Sequence, residues 1–340
     1  MVHIQYPVGQ GGLHLGIIGN VAYIYDCGGK GKNVDWQGIF DDIKIKLQNC
    51  ESLYVFISHL HWDHCNKLQE LLKLSNAVKA LHIYAPCMSN ATQVKLLLEY
   101  DGDDSSYEWY YNAVVNSVVS KSDTEKIRVD HIGNNKECFD VAKGWYLWPY
   151  MTEQSDDQEQ TFKQMLADAG ITLDDLSKRV SPGWEKAKKI YENVYRKLHE
   201  AGIKPTNDVM LCLYCGPKEP PCETGCLLTN TSKQDWLVVL HTGDANLAGD
   251  NLLKLKAHYG IVLDCVNVLQ IPHHGASSCH DSCFTHLLHP FNLFPLLFYT
   301  IGGGSAKVAI SDIFVHPACI RNVSENPGTK ITLVNERIPL

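Results

Sequence analysis

Short apolar runs, each closed by glycine, proline or polar residues, alternate along this chain with stretches of helical periodicity. Leu13–Ile18 and Val21–Asp26 read as two strands joined at Gly19-Asn20, where a tight hairpin needs positive φ. Trp36, Phe40, Ile43 and Leu47 recur at helical spacing within Trp36–Gln48. Leu53–Ser58 is apolar or β-branched enough for a buried strand. Leu68, Leu71, Leu72 and Leu74 then mark an amphipathic helix. Leu81–Tyr84, Ile127–Ile132 and Trp145–Trp148 predict further strands, the first stopped by Pro86 and the last by Pro149. Ala91–Tyr100 and Trp109–Val119 predict helices. Strands resume with Val209–Tyr214, Trp236–Leu240, Cys265–Ile271 and Lys307–Ser311.

Residues 151–205 interrupt this alternation. An acidic stretch from Glu153 to Glu159 opens them, and Ser181-Pro182 supplies an N-cap and first-turn pair. Trp184, Ala187, Tyr191, Val194, Tyr195 and Leu198 then form a stripe at 3.6-residue spacing, stopped by Gly202. The pattern predicts a helical insertion at 151–205 between a first half, 1–150, and a second half, 206–340. Its stripe should pack on the body of the protein. Lys186, Lys188, Lys189, Arg196 and Lys197 form a basic face, read as solvated, and the insertion is a candidate contact surface for a protein partner.

The chemistry gathers where the strands end. Leu53-Tyr-Val-Phe-Ile-Ser58 delivers His59, His61, Asp63 and His64 within six positions. A strand continuing through His61 would put His59 and His61 on one face, able to grip one metal ion. Asp63 and His64, where the chain turns into a helix, would face a neighbouring position. Imidazole suits zinc and other transition metals, and a carboxylate favours a second cation. Later strands repeat the arrangement. Trp236–Leu240 leads into His241-Thr-Gly-Asp244, Cys265–Ile271 into Pro272-His-His-Gly275, and Lys307–Ser311 into His316-Pro317. Rigid strands with ligands at their ends are how open α/β sheets build sites.

The H-x-H-x-D-H turn resembles the first metal motif of the metallo-β-lactamase superfamily, and the later turns resemble its later motifs. Val8-Gly-Gln-Gly-Gly12 and Asp26-Cys-Gly-Gly29 are similar to opening motifs of one branch, the soluble hydrolase domain of ComEC-type DNA-uptake proteins. Gly12 stands here where that branch has aspartate, Ala276 where serine is usual, and Val315 where glycine is usual. The resemblance implies a four-layer αββα sandwich with metals at one edge. It implies two divalent ions, zinc or manganese: His59 and His61 on one, Asp63, His64 and one of His273 and His274 on the other, and Asp244 bridging. Adjacent residues in an extended segment point oppositely, so His273 and His274 are not expected on one ion. The other histidine would touch substrate or protonate a leaving group, which with Asp63 makes His273 a catalytic candidate. His316 is placed at the rim against a phosphate. The superfamily's third histidine has no clear counterpart. Thr206-Asn207-Asp208 resembles the asparagine turn that replaces it, and His131 and His241 are the leftover candidates, His241 read as structural.

Composition adjusts this picture. A chain of 340 residues with 45% hydrophobic and 20% charged content is ordinary for a globular protein. No apolar run is long enough to span a membrane, and the start lacks a secretory pattern. With thirteen cysteines, an odd count, the expectation is reduced thiols in a cytoplasmic protein. Cys212, Cys215, Cys222 and Cys226 are a candidate structural zinc site. Cys279, His280, Cys283 and His286 are explained by core packing. The net charge of −8 argues against bulk attraction to nucleic acid, although bound cations would make the site itself positive. Two clamped cations acidify water and stabilise both oxygens of a displacement, so the expected function is a phosphodiesterase or nuclease. The alternatives are a small-molecule phosphoesterase, resembling phosphorylcholine esterases, and a regulatory partner subunit.

Overall fold

The computed structural model describes residues 1–59, 61–86, 127–132, 138–140, 145–151, 153–171, 209–216, 237–279, 296–300, 320–324 and 326–334, with helical positions between 186 and 200. The predicted helices at 91–100 and 109–119 and the predicted strand at 307–311 lie outside the described residues, as do Ser181-Pro182 and the 206–208 turn. So do Trp184, Lys188, Tyr191, Val194, Tyr195 and Leu198.

Two seven-stranded sheets form the centre. The first contains β1 (Val2–Gln5), β2 (Gly11–Ile18), β3 (Val21–Gly29), β4 (Ser52–Phe56), β5 (Ala80–Pro86) and β6 (Ile127–Ile132), closed by β14 (Ile331–Val334) against β1. The second contains β7 (Cys138–Asp140), β8 (Trp145–Met151), β9 (Val209–Cys215), β10 (Val239–His241), β11 (Val268–Gln270), β12 (Leu296–Thr300) and β13 (Ile320–Val323). Each sheet changes from antiparallel to parallel pairing in its middle. The first parallel pair is β3–β4 in one sheet and β10–β11 in the other. Those four strands carry the site.

Alternation along the strands makes the layers. Ala22, Ile24, Leu53 and Val55 face outward into a core shared with Ile39, Phe40 and Ile43 of α1 (Trp36–Leu47). Tyr23, Tyr25, Tyr54 and Phe56 face inward and meet Leu147, Leu211, Leu213 and Cys215 of the second sheet. Met210, Cys212 and Tyr214 face outward again, against Leu252, Leu255 and Tyr259 of α5 (Asp250–Tyr259). Helix, sheet, sheet, helix is the αββα sandwich expected from the sequence.

The Gly19-Asn20 hairpin forms with Ile18 opposite Val21 and Gly19 at φ 60°. Asp35 caps α1 by accepting from the Gly38 amide at 2.9 Å. Pro149 does not end its strand: β8 runs on to Met151, with Pro149 opposite Leu211. Sheet and sequence halves also divide differently. β7 and β8 precede residue 151 yet belong to the second sheet, and β14 returns from the C-terminal end to the first. Between β8 and β9, α4 (Glu153–Asp168) buries Phe162 and Leu166 in the outer core of the first sheet, together with Ile171 and Ala187. These described residues of the stretch are therefore built into the outer helical layer. Lys186, Lys189, Arg196 and Lys197 are exposed on it. Among the described residues no helix is long and apolar enough to cross a membrane.

Cys212 and Cys215 correct one expectation. Three positions apart on β9, they lie on opposite faces of the sheet, in the outer and inner cores respectively. They cannot share one ion, so the proposed four-cysteine zinc site does not form; Cys222 and Cys226 lie outside the described residues.

Candidate metal centre

The site is built from the C-terminal ends of β3, β4, β10 and β11. β3 contains one extra residue where Gly12 pairs with Gly28 and His14 with Tyr25, a bulge that falls at Asp26. Asp26 takes φ 59° there, a left-handed conformation that aspartate tolerates better than most residues. Its fully buried carboxylate becomes the hub of the site. The Ser58 amide donates to Asp26 Oδ1 at 2.7 Å, and Ser58 Oγ donates to Oδ2 at 2.8 Å. His64 Nδ1 donates to the same Oδ2 at 2.7 Å.

That hub sets the tautomers. With its proton committed to Asp26, Ser58 Oγ accepts from His59 Nδ1 at 2.9 Å. His59 and His64 thus both donate from Nδ1, and each turns a buried Nε2 towards Asp244. Two glycines admit this arrangement. A Cβ on Gly12 would lie 2.8 Å from Asp26 Cβ, and one on Gly28 would lie 2.7 Å from the Asp63 carbonyl. Gly12, which stands where the ComEC-like motif has aspartate, here makes the room that Asp26 occupies.

β4 ends at Phe56, before the histidines, and does not continue through His61 as the sequence pattern predicts. Asp26 captures Ser58 and turns the chain out of the sheet, and α2 (Trp62–Cys65) begins directly afterwards. His59 and His61 are nevertheless brought together, ring centroids 4.5 Å apart.

From the second sheet come Asp244, His273 and His274. Gln270 pins the Thr242-Gly243 turn: its Oε1 accepts from the Thr242 and Gly243 amides at 3.2 and 3.3 Å, while its carbonyl accepts from Thr242 Oγ1. The His273 amide donates to Gly243 O at 3.0 Å and ties the two loops together. Asp244 then faces both sides. Its Oδ1 lies 3.2 Å from His64 Nε2 and 3.4 Å from His274 Nε2; its Oδ2 lies 3.7 Å from His59 Nε2 and 3.8 Å from His273 Nε2. His274 Nε2 is also 3.7 Å from Asp63 Oδ2, and Lys30 Nζ is 3.3 Å from Asp63 Oδ1.

Two groups that could each hold a metal ion result, His59–His61–Asp244 and Asp63–His64–His274, the ligand atoms of each within 4.8 Å of one another. Imidazole nitrogens and carboxylates in this mixture suit zinc or manganese. Burial would push Asp244 towards neutrality, but His274, His64 and His59 outweigh it and hold the carboxylate well below its usual range. Burial likewise disfavours the imidazolium of His64, yet Asp244 and Asp26 raise it well above an ordinary histidine. Burial and the neighbouring His64 and His61 keep His59 neutral.

His273 and His274 are not extended, contrary to the alternation argument. Both lie in a tight turn with left-handed φ, 48° and 53°. With Asp26 they are the non-glycine residues of positive φ among the described residues, and all three are at this site. Such conformations cost on the order of 1–3 kcal/mol each and mark places where position outranks local stability.

His241 faces away from the two candidate ligand groups, between the sheets, beside His3, His14 and Tyr23. His316 lies outside the described residues, as do His280, Cys283 and His286, and for His131 only its place in β6 is described. Cys279 is close to the site, its Sγ 2.8 Å from His273 Nδ1. The sequence reading passed over Ser58, Lys30 and Gln270. Only Gln270 leaves a trace, as a polar residue ending an apolar strand immediately before Pro272-His-His-Gly275.

No curated protein matches the sequence. The metallo-beta-lactamase fold protein YhfI from Bacillus subtilis superposes with a TM-score of 0.45 at 9% identity, covering 98% of this chain and 100% of its own. Yeast PDE1 superposes with a TM-score of 0.45 at 10% identity, covering 98% and 99%. The model of the Metallo-beta-lactamase superfamily matches residues 18–154. That stretch holds Asp26 and the H-x-H-x-D-H turn.

Proposed function

We propose that this chain is a dinuclear divalent-metal phosphodiesterase whose substrate is a nucleic-acid strand. The observation that carries the reading is Asp244, which presents one oxygen to each of two adjacent ligand groups. A carboxylate so placed holds two cations close enough to act on one phosphoryl group. His59 and His61 would hold one ion, and Asp63, His64 and His274 the other. When bound, the ions supply acidified water and positive charge for the phosphoryl oxygens.

The chain's own groups supply orientation and charge. Asp26, directly and through Ser58, fixes the Nδ1 partners of His59 and His64 and so turns both Nε2 atoms towards Asp244. Burial opposes ionisation of Asp63, but His64, Lys30 and His274 outweigh it, so Asp63 stands as a carboxylate. Lys30 is half-exposed and holds Asp63 Oδ1 at the edge of the site, where its ammonium can meet an anionic substrate. The nucleic-acid choice rests on the ComEC-like motifs at residues 8–12 and 26–29, and the net charge of −8 favours single strands over tight duplex binding.

The test is cleavage of labelled single- and double-stranded DNA and RNA after metal removal and re-addition of zinc or manganese, with His61→Ala and Asp244→Ala as controls. Metal-dependent cleavage lost in both variants supports the reading. A protein that binds two ions and cleaves none of these strands contradicts it and turns attention to small phosphodiesters.

A further inference from the structure

Without His273 the two ligand groups are unequal. Among the described residues, and counting the shared Asp244, the second group has four protein donors, Asp63, His64, His274 and Asp244, while the first has His59, His61 and Asp244. We propose that His273 is the missing donor of the first group, so that the consecutive histidines 273 and 274 serve different ions. The inference rests on the dinuclear reading of the site.

Asp244 sorts the histidines. His64 and His274 face Oδ1, whereas His59 and His273 face Oδ2, at 3.7 and 3.8 Å. Oδ2 is thus the common neighbour of His59 and His273, as Oδ1 is of His64 and His274.

The second ring nitrogen points the same way. A ligating histidine almost always has its other nitrogen held by an outer partner. His59 Nδ1 is held by Ser58 Oγ at 2.9 Å, His64 Nδ1 by Asp26 at 2.7 Å, and His273 Nδ1 by Cys279 Sγ at 2.8 Å. Each leaves Nε2 towards Asp244. Cys279 is then a positioning residue for His273, and its thiol need not leave the protonated state.

The backbone supplies a third argument. His273 holds φ 48° although its side chain is 39% exposed and no dense packing compels the conformation. The amide bond to Gly243 O instead fixes it beside the turn that presents Asp244. A proton donor to a leaving group would not explain why Nε2 addresses the oxygen that also faces His59.

The test is zinc titration against a chromophoric chelator, with cobalt absorption spectra as a second readout. His273→Asn removes the imidazole but tolerates left-handed backbone, and His273→Gly relieves it altogether. Melting curves establish that both variants fold. Wild-type protein should take up two equivalents. Both variants should keep one, with the other weakened at least about tenfold and the cobalt spectrum altered as in His61→Ala, not as in His64→Ala. Cys279→Ala should weaken the same equivalent by a smaller factor. Two equivalents of unchanged affinity in folded His273→Asn and His273→Gly would overturn the assignment. Two-ion uptake without strand cleavage would sink the phosphodiesterase reading and leave this one standing, whereas no uptake sinks both.

Discussion

His64 Nδ1 lies 2.7 Å from Asp26 Oδ2, and through that bond a carboxylate on β3 decides how a histidine of α2 presents itself. Asp26→Asn preserves the left-handed backbone but offers an amide to Ser58 and His64. Metal affinity should fall about 10–100-fold, read by competition with a chelator. Asp26→Ala should also lower stability, by about 1–3 kcal/mol, because the buried Ser58 amide loses its acceptor. Unchanged affinity in Asp26→Asn would remove Asp26 from the site.

Gly28→Ala places a methyl group 2.7 Å from the backbone of Asp63. The turn carrying Asp63 and His64 must then move off the hairpin. Expected are a loss of about 1–3 kcal/mol in urea unfolding and weaker metal uptake. A stable variant that binds metal normally would mean the turn is not set by this contact.

A cluster of buried histidines makes stability depend on pH. His3 is pushed down to about 3, chiefly by burial, and His14 and His241 are also well below an ordinary histidine for the same reason. The unfolded chain therefore binds more protons, and stability is complete above the unfolded value near 6.5 and falls as pH drops below it. His3 alone should contribute a loss of about 2 kcal/mol between pH 7 and pH 5. The raised His64 does not offset this, since its contribution is already complete below 6.5. Chemical unfolding at pH 7, 6 and 5 measures the slope, and a flat profile would show that these histidines titrate alike in both states.

Lys30→Ala should hardly change stability, by about 1 kcal/mol or less, because its pair with Asp63 is half-exposed. If the ammonium meets an anionic substrate, KM for a phosphodiester should rise several-fold with kcat largely kept, and the effect should shrink at high salt. An unchanged KM would confine Lys30 to pairing with Asp63.

Much of this was legible in the chain because strand ends are written twice, once as an apolar run stopping and once as a histidine or aspartate following. Leu53–Ser58 and Cys265–Ile271 announce the site in that way. β1, β12, β13 and β14 went unread: each spans only 4 or 5 residues, and pairing within a sheet, not local pattern, makes them strands. Helix α5 was also passed over. The turn at His273 and His274 was misread as extended because left-handed φ at non-glycine residues leaves no mark in sequence. Asp26 was visible as part of a motif, but its reach to Ser58 and His64 depends on a bulge that only the register reveals. Cys212 and Cys215 mislead in the opposite way, since spacing suited to zinc in a loop becomes opposite faces on a strand.

Anomalous diffraction from crystals grown with zinc or manganese tests the two-ion centre most directly. The account predicts two peaks, one among His59, His61 and Asp244, the other among Asp63, His64 and His274, with Asp244 touching both. A single peak, or two that share no contact with Asp244, would contradict it.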